Sequence, residues 1–374
     1  MKKTLVALAA LATVGAAFAQ STVTLYGKID WEVQSSSTRT AAGVNTSPGL
    51  RLNSAGMNGS RFGLKGSEDL GGGMSAIFDL QSGFNIDTGQ MAQCGGANVV
   101  SVNACTTIAG ATVGATNSVT APRIFGRQAY AGLKGSWGQF TAGRQYAPYD
   151  NAFGSVDGQG YTNNSAMGSV FAAGGHADAG GPGRVDNSLT YYTPAMGGFS
   201  AQVMYAPGEN KAPGVSASRY AGLGLGYANG PINVQFASEN MKSNGLVNGN
   251  TTNGGAAGTT NAYILGGSYN FGVATAYVAF ERATNAVDTK DKGYSIGASL
   301  PIGIATLSAG YARETSTPVA NATSVSRGFG GQITSPLSKR TLVYTEVMSL
   351  RNSTAGVAGT ATTQNFGVGM QHNF

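Results

Sequence analysis

The last ten residues, Asn365 to Phe374, place apolar groups at Phe366, Val368, Met370 and the terminal Phe374, with small or polar groups between them. Near the other end Val23, Leu25, Gly27, Ile29, Trp31 and Val33 alternate with Thr24, Tyr26, Lys28, Asp30 and Glu32. Successive side chains of a strand point to opposite faces, so this period of two predicts half-buried strands at both ends. An aromatic strand that runs to the final atom suits a closed barrel, where its outer face meets lipid and its edge pairs with the first strand. The alternation recurs at Phe62 and Leu64, at Ala76, Phe78 and Leu80, at Phe199, Ala201, Val203 and Tyr205, at Ile232, Val234 and Phe236, and at Tyr294, Ile296, Ala298 and Leu300. Segments 273–282 and 341–351 fit either phase.

Tight-turn chemistry occurs at 68–73, 135–138, 193–198, 228–231, 270–272, 301–303 and 335–339. Between these lie stretches rich in Gly, Asn, Thr, Ser and Ala near 36–56, 86–122, 146–183, 207–217, 242–260, 283–291, 315–324 and 352–362. Short and long connections alternate, as expected when one rim faces the periplasm and the other the exterior. Seven short and eight long connections join sixteen strands of about ten residues, each long enough to cross hydrocarbon at a tilt. The prediction is all-β: a 16-stranded antiparallel transmembrane β-barrel with short periplasmic turns, long external loops and a third loop able to fold inward. Tyr191, Tyr205, Tyr227, Tyr269, Phe271 and Phe374 fall near strand ends, where rings suit the membrane interface, although β-propensity alone also places such residues in strands.

Composition narrows the choice. The chain has 58 glycines, 11 prolines and only 11% charged residues. Interior glycine penalises helices by roughly 1 kcal/mol per site, and sparse charge solvates a soluble surface poorly. Met1-Lys2-Lys3, an apolar run from Leu5 to Val14 and Ala17-Phe18-Ala19 have the layout of a secretory signal peptide, too short for a spanning helix. The expected organisation is residues 1–19 as signal peptide and 20–374 as a single barrel. Without Lys2 and Lys3 the 23 bases become 21 against 17 acids, a net charge near +4. The bases are dispersed, so nucleic-acid binding is not expected. Cys94 and Cys105 are the only cysteines, and in an oxidising compartment their proximity in one loop predicts a disulfide.

Catalytic constellations are missing from the pattern. A Ser-His-acid triad would have to use His176 in a Gly-rich loop, because the other histidine, His372, sits in the closing strand. No histidine pairing of zinc type, phosphate-cradling loop or dinucleotide fingerprint is present. The expectation is no enzyme and no cofactor. What stands out is charge facing the interior: Arg61 and Lys65 share the polar face of the second strand, and Arg184 is in phase with Ser188 and Thr190 on the sixth. Arg127 shares the parity of Ala131 and Leu133, so it faces inward only if a bulge near Gly126 shifts the register. The third loop carries Asp150, Asp157 and Asp178, and folding it inward would set carboxylates opposite arginines.

Several motifs in order, Val23 to Gly27, Ser60 to Gly73, Arg127 to Gly135, Ala142-Gly-Arg144, Ser188 to Pro194 and the terminal Phe374, resemble the general Gram-negative porins of the neisserial and betaproteobacterial type. The resemblance implies homotrimers in the outer membrane of a Gram-negative bacterium, a third loop forming the constriction and a second loop reaching a neighbouring subunit. It implies that Arg61, Arg127, Arg144 and Arg184 form the family's basic pore cluster, and the residue pattern adds Lys65, Asp79, Gln81, Asp150 and Asp157 as expected members of the constriction and Phe374 as the residue closing the barrel. Gln81 stands where many relatives carry an acid, and the cysteine pair is not a general family feature. The function so implied is passive diffusion of ions and small hydrophilic solutes, and the net charge near +4 with the four arginines predicts a weak to moderate anion preference. Lipid and lipopolysaccharide are the expected surroundings. A substrate-specific porin and a surface adhesin or phage receptor are the alternatives.

Overall fold

The structure is a computed structural model, and it describes residues 22–92, 94–95, 121–173, 183–208, 211, 213, 216–244, 257–318 and 322–374. The predicted signal peptide, Cys105, His176 and Asp178 lie outside these residues. In chain order the elements are β1 (Thr22–Arg39), β2 (Asn45–Ser54), β3 (Arg61–Gly71), β4 (Met74–Gly83), β5 (Cys94–Gly95), β6 (Ala121–Pro122), β7 (Gln128–Gly135) and β8 (Gly138–Tyr146). Two helices follow, α1 (Pro148–Val156) and α2 (Ala166–Ala173). The remaining strands are β9 (Arg184–Tyr192), β10 (Phe199–Ala206), β11 (Arg219–Asn229), β12 (Ile232–Asn244), β13 (Ala257–Asn270), β14 (Thr275–Thr284), β15 (Lys290–Ile302), β16 (Ala305–Thr317), β17 (Ser324–Pro336), β18 (Thr341–Thr354) and β19 (Ala361–Asn373).

All strands except the small β5–β6 pair join one antiparallel sheet, and β1 pairing with β19 closes it. Closure satisfies every edge, which a hydrocarbon environment demands. At the seam Gly27 N–H donates to the Phe374 carbonyl at 2.9 Å, and Phe374 N–H donates to the Gly27 carbonyl at 3.0 Å. β1 is long enough to meet β3 along Thr22–Lys28 and β2 along Trp31–Arg39. β2 and β3 therefore share one strand position, which makes sixteen around the wall. The break at 55–60 is held by side chains: Asp30 N–H donates to Ser60 Oγ at 2.9 Å, and the Asp30 carboxylate accepts Asn58 N–H at 3.0 Å.

Outward positions are apolar and exposed, as at Val23, Leu25, Val203, Leu265, Phe280, Ile296, Phe329 and Phe366. That face belongs against lipid. Phe280 and Val278 point out while Ala279 and Glu281 are buried inside, and Val347 points out while Glu346 and Met348 are inside, which resolves the two ambiguous segments. Near the short turns Phe199 meets Tyr227 and Tyr269 meets Phe271, both with ring centroids 4.6 Å apart, and Trp137 stacks on Tyr191 at 6.3 Å. These rings form part of an interfacial girdle.

All seven short turns occur where the sequence places them. Several expected long loops are shorter, however: 36–56 is largely strand, β12 continues to Asn244, and only 285–289 separates β14 from β15. The extra strand is built from Thr, Ser, Asn and Gly. Such residues pair through their backbones without leaving an apolar signature.

The connection after β8 folds into the barrel. Pro148 begins α1 with a φ already suited to a first helical turn. Tyr149, Phe153 and Val156 of α1 and Met167, Val170 and Phe171 of α2 pack against Ala237, Ala262, Ile264, Ala279 and Ala312 of the inner wall. Small inward residues make room for this insert. A Cβ at Gly328 would lie 2.6 Å from Val170 Cγ2, and one at Gly293 would lie 2.5 Å from the Phe171 ring.

Candidate pore-lining site

Tyr146 ends β8 immediately before the inserted helices, and two arginines converge on it. Arg127 Nη2 donates to the Tyr146 hydroxyl at 2.6 Å, and Arg184 Nη2 donates to the same oxygen at 2.5 Å. The Arg184 guanidinium also lies 4.2 Å from the centroid of the Tyr146 ring, a cation–π contact. Arg127 Nε donates to Gln81 Oε1 at 2.8 Å, and its backbone N–H donates to the Gln81 carbonyl at 3.1 Å. Arg61 completes the cluster on β3, paired across the ladder with Lys28 of β1, whose Nζ donates to Asn58 Oδ1 at 3.1 Å. Among the described residues Arg61, Arg127 and Arg184 make no ion pair. Arg127 and Arg184 are held in place by neutral acceptors, and none of the three charges is compensated by direct carboxylate contact among the described residues.

The way Arg127 enters this cluster differs from the expected bulge at Gly126. The regular ladder between β4 and β7 begins at Gln81 and Gln128, so Arg127 precedes it and escapes the parity of Ala131 and Leu133. The register shift lies elsewhere. On β9, Ser188 opposes Gly143 and Val185 opposes Gln145, so β9 holds one extra residue, and Asn187 adopts φ 55° there. Arg184 is thus out of phase with Ser188 and Thr190, contrary to expectation, and it reaches Tyr146 through the shifted strand.

Other expected members lie apart. Arg144 Nη1 pairs with Asp186 Oδ1 at 2.7 Å, Arg123 Nη1 pairs with the same oxygen at 2.9 Å, and Arg144 Nε donates to the Gly126 carbonyl at 2.7 Å. This bracket ties the start of β9 to the segment before β7 and neutralises part of the charge of Arg144. Lys65 and Asp79 are cross-strand partners nearer the β3–β4 turn. There the Tyr26 hydroxyl donates to Asp79 Oδ1 at 2.5 Å, and Lys65 Nζ lies 5.1 Å from the Tyr26 ring centroid. Gln81 Nε2 donates to the Tyr26 hydroxyl at 3.0 Å, which connects the two levels.

The two loop carboxylates divide as well. Asp150 on α1 accepts the Tyr161 hydroxyl at 2.7 Å. Asp157 is not aimed at the arginines. Its Oδ1 accepts Gln159 N–H at 3.1 Å and its Oδ2 accepts Tyr161 N–H at 3.0 Å, closing the turn after α1. Burial pushes the Asp157 carboxyl above the usual carboxylate range, against the opposing pull of those donors.

Tyr146 and the inner-wall acids Glu239, Glu281, Asp291, Glu314 and Glu346 carry no signal in the sequence, whereas Lys28, Asp30 and Glu32 show there only as the polar face of the first strand; the acids are all buried on the inner wall. The insert is fastened to several of them. Tyr149 Oη donates to Glu281 Oε2 at 2.7 Å, and Asn164 Nδ2 donates to Glu346 Oε1. Lys28, Arg61, Arg127 and Arg184 gather at β1, β3 and the ends of β7 to β9, while five of the acids lie on β12, β14, β15, β16 and β18 and the other two, Asp30 and Glu32, lie on β1. A lumen divided in this way carries a transverse field across the solvent path. His372 bonds Thr341 through Nδ1 at 2.9 Å on the closing strand, and among the described residues no group of histidine, cysteine and acids suits a metal.

The comparisons agree with this architecture. A family model described as Gram-negative porin matches residues 4–355. Outer membrane porin protein 32 of Delftia acidovorans is 34% identical over 370 residues, covering 96% of this chain and 92% of the relative. An outer membrane porin of Bordetella pertussis is 32% identical over 332 residues, covering 81% and 74%. Among solved structures, the anion-selective porin from Comamonas acidovorans superposes with a TM-score of 0.72 at 28% identity, covering 95% of this chain and all of that one. The trimer form of OmpT from Vibrio cholerae superposes at 0.62 with 17% identity, covering 95% and 99%, a likeness of fold. A closed wall of sixteen strand positions with an apolar exterior, a charged interior and this family match means that the chain belongs to the Gram-negative porins, channels of the outer membrane.

Proposed function

We propose that this porin prefers anions, and that Arg61, Arg127 and Arg184 form the selective part of its passage. The observation that carries the reading is the convergence of Arg127 and Arg184 on Tyr146, with Arg61 beside them on β3, and the lack of an ion pair for any of the three among the described residues. A carboxylate salt bridge would cancel much of each charge, whereas a phenol and an amide leave it available to a passing ion. Asp150, on the insert, tempers the field and keeps the preference moderate. Lys65 with Asp79 contributes little net charge, and Asp186 offsets one of the two charges of Arg144 and Arg123. The anion-selective description of the Comamonas acidovorans structure supports the same direction. Solutes cross by diffusion through water, with no bond made or broken.

The functional unit is a homotrimer embedded in outer-membrane lipid and lipopolysaccharide. The trimer form of OmpT, which shares the fold, supports the oligomeric reading. Planar-bilayer recording tests both claims. A potassium chloride gradient should give a reversal potential of the sign for chloride, and closure should proceed in three equal steps. A reversal potential of the opposite sign overturns the selectivity, and single-step closure overturns the trimer.

A further inference from the structure

Beyond the arginine cluster, towards the rim of long loops, the inner wall opens into a separate polar chamber of about 440 Å³. Lys28 and Glu32 share the inward face of β1, four residues or about 13 Å apart along an extended strand. The chamber begins at Glu32, so it stands on the external side of the cluster. β1 and β2 form one wall, the turn at 85–90 a second, and the segment just before α2 a third.

Its chemistry differs from that of the cluster. Carboxamides dominate the lining, and no aromatic ring takes part. Arg51 Nη2 donates to Gln34 Oε1 at 2.7 Å, and Gln34 Nε2 donates in turn to Glu32 Oε1 at 2.7 Å. Asn53 Nδ2 reaches the same Glu32 oxygen at 3.3 Å. This relay fixes Arg51 and binds Glu32 to two amides. On the second wall Ile86 N–H donates to Ser54 Oγ at 2.9 Å and Asn85 N–H donates to the Gln90 carbonyl at 2.7 Å, closing the turn that carries Asp87. On the third, Asn164 Nδ2 donates to Glu346, and Asn164 Oδ1 accepts Asn365 Nδ2 at 3.1 Å. Neither Arg51 nor Asp87 makes an ion pair among the described residues. The chamber therefore presents two open charges of opposite sign among amides that are already held in place.

We propose that this chamber is a binding station for small zwitterions, the α-amino acids. The α-carboxylate takes the fork of Arg51, the α-ammonium turns to Asp87, and the amides bond a polar side chain. Other solute classes fit less well. A simple anion meets Glu32 and Asp87, a simple cation meets Arg51, and a sugar leaves both open charges unmatched and finds no ring to stack on. The volume lies within the range of ordinary small-molecule sites. A zwitterion has no net charge, so the inference is independent of the ion preference of the cluster.

The test is single-channel recording of the refolded protein at neutral pH with glutamine added to the side of the long loops. Glutamine should lower the current in a saturable way. N-acetylglutamine, which lacks the ammonium, and glutamine amide, which lacks the carboxylate, should each need about tenfold more for the same effect, the worth of one charge-assisted hydrogen bond. R51Q and D87N should each weaken the glutamine effect by a similar factor, and the exchange R51D/D87R should recover much of it by reversing the solute. Amide infrared spectra certify the barrel in each variant. Equal effects of glutamine and its two derivatives on the unmodified protein, a current that glutamine does not lower, or an undiminished effect in R51Q and D87N overturns the proposal.

Discussion

The Tyr146 hydroxyl accepts hydrogen bonds from both Arg127 and Arg184, at 2.6 and 2.5 Å, while its ring supports the second guanidinium from below at 4.2 Å. One phenol thus holds two like charges close together. Tyr146→Phe would keep the ring and remove the acceptor. Hydrogen bonds to charged groups are worth about 1.5–3 kcal/mol each, so the arginines should spread and the folded protein should lose about 3–6 kcal/mol. Reversal potentials should show weaker anion preference with pore conductance nearly unchanged. An unaltered potential would mean that the hydroxyl does not organise the field.

Replacing Arg61, Arg127 or Arg184 singly by Gln should shift the reversal potential towards cations, and the three changes together should produce the largest shift. Arg144→Gln should shift it much less, because Asp186 already sits 2.7 Å from that guanidinium. The shifts should shrink as salt rises from 0.1 to 1 M, where the screening length falls from about 10 Å to about 3 Å. Equal effects at Arg144 and Arg184 would contradict the assignment.

Asp157 predicts a pH dependence confined to the insert. Its carboxyl is raised by burial, so its neutral form is favoured in the folded loop relative to the unfolded chain. The stability it contributes is fully present below the ordinary Asp value near 3.9 and is lost as pH rises through the folded value. Hydrogen exchange in α1 and the turn after it should therefore quicken as pH rises through that window, after correction for the intrinsic rate. Asp157→Asn should flatten the trend.

Removing Phe374 should weaken barrel closure. The deletion eliminates the two hydrogen bonds with Gly27 and a ring packed beside that glycine. At about 1 kcal/mol per bond and about 2 kcal/mol for the ring, some 4 kcal/mol are at stake. Refolding yield and the melting temperature of the folded protein measure it.

Gly328→Val should push α2 off the wall, because Val170 already fills that space. Overpacking typically costs about 1–3 kcal/mol. Faster proteolytic nicking of the segment 148–173 and noisier conductance should follow, with the strand content by infrared spectroscopy unchanged.

Alternation of apolar residues made the wall legible from the sequence, since lipid outside and water inside impose opposite demands on successive residues. Val23 to Val33 and Phe366 to Phe374 announce the seam before any pairing is known. Glycine-rich turns marked one rim equally well. Ranges such as 36–39 and 257–261 were opaque because Thr, Ser and Asn leave no apolar trace when they extend a ladder. The arginines were legible as candidates, but their company was not. Arg184 depends on one extra residue at Asp186–Asn187, Arg127 on where β7 begins, and Arg144 on an acid 42 positions away. The inward acids were invisible as a group, since apart from Asp30 and Glu32 of β1 each comes from a different strand and only closure gathers them.

The inner lining of alanine and glycine beneath α1 and α2 has a further consequence. The continuous ladder carries rigidity around the circumference, whereas the insert only leans on it through methyl groups and a few tyrosine and asparagine anchors. Bore and durability are therefore written in different residues. Descendants of this chain can widen, narrow or recharge their aperture by exchanging one plug, while the hydrogen-bonded hoop around it is left untouched.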